Sequence, residues 1–168
     1  VDIVLILSNK PDAFVHERAK KLHIPSLSFT KNQFSESDYI LNFLKEKKID
    51  LIILAGFLLK VPANLIHAYP NKIINIHPAL LPKYGGKGMY GQHVHEAIVA
   101  HNEKETGITI HYVNEHYDEG TIIFQAKCAV LPTDTADDVA QRVHQLEYEH
   151  FPKVVEKFIQ EKLNNTNP

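Results

Sequence analysis

The sequence contains no tryptophan, one methionine and a single cysteine, Cys128, among its 168 residues. One cysteine cannot form an internal disulfide or supply a cysteine-based zinc site. It fits a protein that folds in the reducing cytoplasm, where Cys128 would serve as a small apolar core residue. We therefore predict a cytoplasmic protein without disulfides.

Long apolar runs and an excess of one charge are also missing. The longest apolar run, Leu51 to Leu59, is less than half of the ~20 residues that a membrane-spanning helix requires. The formal net charge of -2 gives no general affinity for nucleic acid or other polyanions, so a nucleotide-like partner would have to be held locally. The chain length corresponds to about one domain with a sizeable core.

The first half of the chain alternates strand-like and helix-like segments. Buried strands are predicted at residues 1–7, 50–56 and 72–77, a short extended segment at 26–29, amphipathic helices at 13–23 and 36–48, and a weaker helix at 62–69. This alternation is typical of a parallel sheet flanked by helices. Ser35 with Asp38 resembles a capping box at the start of the second helix.

The second half begins with a glycine-rich loop, GGKGMYG, which permits backbone angles that other residues avoid. A helix is predicted at 92–102, two strands at 107–113 and 121–131, and a helix at 132–151 with Thr135 as its N-cap. Pro152 is expected to kink or restart this helix. We predict an α/β fold: a Rossmann-like, mostly parallel sheet flanked by helices, with a C-terminal antiparallel strand pair.

Two polar residues, Asn75 and His77, interrupt the otherwise apolar strand 72–77. Residues two apart on a strand face the same side, so an amide and an imidazole would lie together at the carboxyl end, where open parallel sheets bind ligands. They could also be polar groups satisfied at a strand end. Burying them without partners costs roughly 1–3 kcal/mol each, so they require either partners or a function.

The histidines admit a metal site as an alternative, with His93, His95 and His111 as ligands. His93 and His95 lie on one predicted helix, where residues two apart project in nearly opposite directions and cannot readily chelate one ion. We therefore predict a site without a metal.

Several runs together extend the interpretation of Asn75 and His77. NIHPALLPKY followed by GITIHYVNEHYDEGTIIFQ resembles the folate-dependent formyltransferases. SNKPDAFVHERA, LAGF, IIFQAK and RVHQLEYEHFP occur in the family's order and spacing, so the resemblance covers Ser8 to about Ile159. Among these enzymes, the chain is most similar to those that formylate the amine of glycinamide ribonucleotide in purine synthesis.

The resemblance implies a catalytic set of Asn75, His77 and Asp118. Asn75 would donate its amide hydrogen to the oxyanion that forms on the formyl group. Protonated His77 would stabilise this oxyanion and move protons, while Asp118 would keep His77 charged and bind the water that relays the amine's proton. These roles match the chemistry, because amine attack on a formyl carbon creates an anionic oxygen and a cationic nitrogen.

The resemblance also implies two binding regions. The co-substrate 10-formyltetrahydrofolate would be held by two segments, and the ribonucleotide by Pro78, His144 and Glu147. His144 stands where the family has a glutamine, and His93 would lie just outside the site. The folate segments comprise Phe57, Leu58, Leu59, Lys60, Val61, Asn114, Glu115, His116 and Tyr117.

Three other functions remain open from the sequence. A hydrolase of 10-formyltetrahydrofolate would use the same catalytic residues with water as the acceptor, and a folate-binding module would lack catalysis. A formyltransferase acting on charged tRNA would require a further C-terminal domain. We interpret residues 1–168 as a single formyltransferase domain lacking the family's first β-α unit, and we expect a natural protein longer by ~30 residues with an upstream Gly/Ser phosphate loop.

Overall fold

The computed structural model of the chain describes residues 2–164. Within these residues, one helix or more separates each strand from the next up to β4, as the hydrophobic pattern predicts, with one additional short helix between β2 and β3. The elements in order are β1 (Ile6–Ser8), α1 (Val15–Lys21), β2 (Ser26–Ser28), α2 (Lys31–Ser35), α3 (Tyr39–Glu46), β3 (Ile52–Ala55), α4 (Ala63–Ala68), β4 (Ile73–His77), α5 (Gln92–Ala100), β5 (Glu105–Tyr112), β6 (Ile122–Ala129) and α6 (Ala136–Asn164).

The strands form two sheets. β1 pairs with β2 in parallel, and the larger sheet has the order β3-β4-β5-β6. β3 and β4 are parallel, whereas β4 with β5 and β5 with β6 are antiparallel. Pairings among the first four strands are thus parallel, and β5 with β6 forms the C-terminal antiparallel pair. The predicted α/β, Rossmann-like class is confirmed.

Two apolar clusters cover β4. Ile74 and Ile76 belong to one cluster, which includes buried residues of α5, β5 and α6. Ile73 belongs to the other, which includes buried residues of α2, α3 and α4. Because side chains alternate along a strand, Asn75 and His77 share the face of Ile73 and lie where the second cluster ends. The apolar run of β4 is thus explained by burial on both faces.

The start of the chain differs from the prediction in two respects. β1 is limited to the three residues that pair with β2, because a ladder extends only as far as its partner strand. The predicted capping box at Ser35 is wrong. The box lies in α2, a helix that the sequence analysis did not identify, where Thr30 accepts from the Gln33 backbone N–H and Gln33 accepts from the Thr30 N–H. Asp38 instead accepts a hydrogen bond from Asn64.

The last helix, α6, runs without interruption through Pro152, so the predicted restart at this residue is wrong. Proline removes one backbone hydrogen bond, but buried Val139, Val143 and Phe158 anchor α6 against the core on both sides. Thr135 is its N-cap as predicted, since it accepts from the Asp138 backbone N–H. No helix in the described part of the chain is long and apolar enough to cross a membrane.

The turn between β5 and β6 packs against the end of β5. A β-carbon on Gly120 would lie 1.6 Å from the carbonyl oxygen of Tyr112, so only glycine fits there. The β5–β6 register also shifts between Ile110 and His111, which marks a bulge of the kind found beside functional sites. Together these features fix the path of the segment that carries Asp118.

Replacing Gly120 by alanine is expected to lower the free energy of unfolding by roughly 1–3 kcal/mol or more, because the backbone of Tyr112 must move to make room. Urea unfolding followed by circular dichroism measures the change. Thr121→Ala is the control, since Thr121 is exposed and adjacent. Equal stability of the two variants would show that the turn relaxes freely.

Candidate active site

A cavity of about 440 Å³ opens where β3 and β4 end. The carboxyl ends of these two parallel strands supply one wall, the glycine-rich loop and α5 a second, the loop after β5 a third, and α6 a fourth. Its lining includes Ala55, Gly56, Phe57, Leu58, Asn75, Ile76, His77, Pro78, Gly86, Met89, Tyr90, Gly91, His95, Tyr117, Asp118, His144, Glu147, Tyr148, Phe151 and Pro152.

His77 is buried at the base of this cavity, with both ring nitrogens facing acceptors. Its Nε2 lies 2.7 Å from the carbonyl oxygen of Tyr84, and its Nδ1 lies 3.6 Å from Asp118 Oδ2. A carbonyl oxygen can only accept, so Nε2 carries a hydrogen and donates it to Tyr84. In the neutral ring, Nδ1 is therefore the nitrogen that can take up a proton.

Asp118 is held from two directions. Its Oδ2 accepts from the backbone N–H of Gly86 at 2.9 Å, and its Oδ1 lies 3.6 Å from His111 Nε2. Its backbone has a φ of +55°, a left-handed conformation that Asp and Asn adopt more readily than most residues. Burial alone would raise the pKa of Asp118, but His111 and His77 in their protonated forms, together with the Gly86 N–H, hold it below its usual value. Asp118 is thus ionised at neutral pH.

Asn75 is oriented by His111, which lies directly opposite it on β5. His111 Nδ1 lies 2.8 Å from the carbonyl oxygen of Tyr112 and must donate to it. The other ring nitrogen, Nε2, then accepts a hydrogen from Asn75 Nδ2 at 3.2 Å. Because the amide group has two hydrogens, the second remains available to a ligand in the cavity.

The pKa of His77 is lowered from its usual 6.5, chiefly because burial disfavours the charged ring. Asp118 and the Tyr84 carbonyl raise it, but not enough to compensate. Burial thus opposes the expected effect of Asp118, which is to keep His77 charged, since the sequence indicated the carboxylate but not the depth of burial. His77 is a neutral proton acceptor beside an ionised carboxylate.

The free energy of unfolding should decrease as the pH is lowered below 6.5, the usual pKa of histidine. The folded-state pKa values of His77 and His95 are both lowered by burial, so the unfolded chain binds protons first. The stability that neutral His77 and His95 contribute is fully present above the pKa of histidine in the unfolded chain. It is lost as the pH falls from that pKa through the lower pKa values of the two residues in the folded protein. Urea unfolding at several pH values tests this, and His77→Asn should show a smaller decrease. An identical pH dependence in that variant would contradict the assignment to His77.

The predicted ribonucleotide-binding residues all line the cavity. Pro78 follows β4, and His144 and Glu147 occupy neighbouring turns of α6. His144 Nδ1 lies 2.9 Å from Glu147 Oε2, so the histidine that replaces the family's glutamine still lies beside the carboxylate. The ring of Tyr148 stacks on His144 with centroids 6.4 Å apart.

The predicted folate segments are only partly exposed to the cavity. Phe57, Leu58 and Tyr117 line it, and Leu58 and Tyr117 are exposed at its edge. In the first segment, Leu59 and Val61 direct their side chains into the second apolar cluster, and Lys60 is exposed. In the other segment, Asn114 Oδ1 accepts from the His116 N–H and Glu115 lies 3.0 Å from His67.

His93 does not line the cavity. Its side chain is 61% exposed and lies 3.6 Å from Glu96, whereas His95 is buried, so the two point in different directions, as predicted. The ring of His93 contacts Tyr90, which does line the cavity. Within residues 2–164, no group of three or more His, Cys, Asp or Glu side chains is arranged to hold a metal ion.

Sequence reasoning missed three parts of the site. His111, considered only as a metal ligand, orients Asn75, and the Tyr84 carbonyl holds the His77 ring. His95 is a further buried histidine in the cavity wall. The register of β5 against β4 would have identified His111, because it pairs directly with Asn75; no sequence signal indicated the Tyr84 carbonyl.

The site thus combines an amide and an imidazole at the carboxyl end of β4 with a carboxylate on the loop after β5. The sequence matches the formyl transferase family model over residues 1–155. The chain belongs to the formyl transferase family. Its similarity extends to proteins of one particular name, phosphoribosylglycinamide formyltransferase, in plants and bacteria.

The chloroplastic protein of that name from Arabidopsis thaliana is 39% identical over 167 residues, which cover 96% of this chain and 57% of the plant protein. The Haemophilus influenzae protein is 38% identical over 165 residues, covering 96% of this chain and 76% of its own length. The crystal structure of the Anaplasma phagocytophilum protein superposes with a TM-score of 0.86 at 34% identity, covering 96% of this chain and 75% of that one. The chain spans little more than half of the plant relative.

Proposed function

We propose that this chain transfers a formyl group from 10-formyltetrahydrofolate to the amine of glycinamide ribonucleotide, a step of purine biosynthesis. The observation that carries the proposal is the convergence of Asn75, His77 and Asp118 on one cavity. Membership of the formyl transferase family and similarity to proteins named phosphoribosylglycinamide formyltransferase support the choice of reaction. The same names favour transfer over hydrolysis or simple folate binding.

In the proposed reaction the amine nitrogen of the ribonucleotide attacks the formyl carbon. The carbonyl electrons move to oxygen, the new C–N bond forms, and the bond from carbon to the folate nitrogen then breaks. The proton lost by the amine is transferred to the departing folate nitrogen. The second N–H of the Asn75 amide donates a hydrogen bond to the developing oxyanion. The hydrogen bond between Asn75 Nδ2 and His111 Nε2 fixes the orientation of this amide.

His77 and Asp118 would transfer the amine's proton to the folate nitrogen. Neutral His77 has its Nδ1 lone pair available, because Nε2–H is occupied by Tyr84, and it accepts the amine's proton directly or through water. The imidazolium is then stabilised by Asp118 at 3.6 Å, helps to neutralise the oxyanion and returns the proton to the folate nitrogen. No step requires a metal.

The two substrates would occupy opposite parts of the cavity. Phe57, Leu58 and Tyr117 offer apolar surface at its edge, which suits the flat pterin ring, and backbone groups of 57–61 and 114–117 would hydrogen-bond its edges. Pro78, His144 and Glu147 would bind the ribonucleotide, with the Glu147 carboxylate accepting from ribose hydroxyls. His93 would support Tyr90 from outside. Unpaired Cys128 supports a reducing, cytoplasmic setting for this reaction.

A formyl-transfer assay with and without glycinamide ribonucleotide tests the proposal. We expect tetrahydrofolate to form only when the ribonucleotide is present, together with formylated ribonucleotide in equal amount. Formate release without the ribonucleotide would identify a hydrolase instead. Folate binding with neither product would identify a binding module.

A further inference from the structure

His95 is a second buried histidine of the cavity and has no role in the mechanism above. It lies on α5, lines the cavity and is only 2% exposed. Its Nδ1 is sealed from water and has no hydrogen-bond partner. Its ring approaches that of His144 edge-on, with centroids 6.5 Å apart.

Because His95 Nδ1 has no hydrogen-bond partner, the protonation states and tautomers of the ring differ in free energy. A protonated ring would bury an unpaired N–H at Nδ1, and burial together with His144 and His77 lowers the pKa of His95. In the neutral ring, a buried N–H without a partner is a rarer and costlier defect than a buried lone pair. The hydrogen therefore belongs on Nε2, which makes Nε2–H the ring's only donor and the one available to the cavity.

The position of His95 lies between the two ends of the proposed substrate. The reacting amine would lie at Asn75, His77 and Asp118, and the ribose at His144 and Glu147. The ring of His95 lies beside that of His144, and His95 lines the same cavity as His77. The part of glycinamide ribonucleotide between its amine and its ribose is a methylene and one amide group.

We propose that His95 donates an Nε2–H hydrogen bond to the amide carbonyl oxygen of glycinamide ribonucleotide and so fixes the amine in line with the formyl carbon. This inference rests on the proposed function. It assigns His95 to recognition of the acceptor amide, separate from the oxyanion contact of Asn75 and from the proton transfer by His77. A bound amide would thereby use the one polar group of the ring that can reach it.

Two substitutions of His95 test the assignment, with binding of each substrate to the full chain measured by calorimetry. His95→Leu has similar bulk but no donor, and we expect its Kd for glycinamide ribonucleotide to rise roughly 5- to 100-fold, because the amide oxygen is left without a partner. His95→Gln places an amide N–H close to the position of Nε2 and should stay within about threefold of wild type. Binding of 10-formyltetrahydrofolate should be unchanged in both.

The outcomes separate this inference from the proposed function. If wild type binds the ribonucleotide and His95→Leu binds it equally well, the role of His95 is overturned while the proposed function stands. Equal losses in both variants, or parallel loss of folate binding, would indicate a packing role and also overturn it. If wild type does not bind the ribonucleotide at all, the proposed function itself fails.

Discussion

Replacing His77 by alanine is expected to lower kcat for formyl transfer by about a hundredfold or more, because a positioned general acid and base contributes about that much. His77 is the buried imidazole whose Nδ1 faces Asp118 and whose Nε2–H is fixed by Tyr84. Alanine removes the proton acceptor and leaves the apolar edge of the cavity intact. Binding of 10-formyltetrahydrofolate should therefore change little.

Steady-state kinetics and folate titration measure the two effects separately. His23→Asn is the control, because His23 is an exposed histidine with a φ of +55°, which asparagine tolerates. Circular dichroism should show that both variants are folded. Near-normal turnover in His77→Ala would mean that this histidine only fills the base of the cavity.

The sequence was sufficient to predict those features that depend on the residue pattern within one strand, helix or turn. The alternation of apolar segments with helices predicted the parallel pairing of β3 with β4, and the Asn-x-His spacing placed Asn75 and His77 on one face of β4. Both inferences depend on the two-residue period of a strand and on the polarity of single residues. The hairpin that carries Asp118 was also visible, because its turn is rich in Asp, Glu and Gly.

The remaining features depend on distances between segments far apart in the chain. His111 acts through its register opposite Asn75, and the tautomer of His77 depends on a backbone carbonyl of Tyr84. Whether burial or Asp118 dominates the pKa of His77 depends on how many atoms cover the ring. A sequence pattern does not show how deeply a side chain is buried. The short helix α2 was missed for another reason, since five residues are too few to show a helical period.

Replacing Asp118 by asparagine is expected to lower kcat by about a hundredfold or more, with the backbone almost unchanged. Asparagine tolerates the left-handed φ of +55°, and its amide oxygen can still accept from the Gly86 N–H. What is lost is the negative charge beside His77. The imidazolium that forms during transfer would then lie in a buried site without a counter-charge, which raises the free energy of the transition state.

The same substitution should change the titration of His77 in a defined direction. Asp118 raises the pKa of His77 against the effect of burial, so removing the charge should lower that pKa further, as NMR of the ring signals would measure. Glu119→Gln removes a neighbouring exposed carboxylate and should alter neither kcat nor the titration. If Asp118→Asn slowed the reaction while the pKa of His77 stayed constant, Asp118 would act on the substrate or its water alone, and the ion pair with His77 would have no part in catalysis.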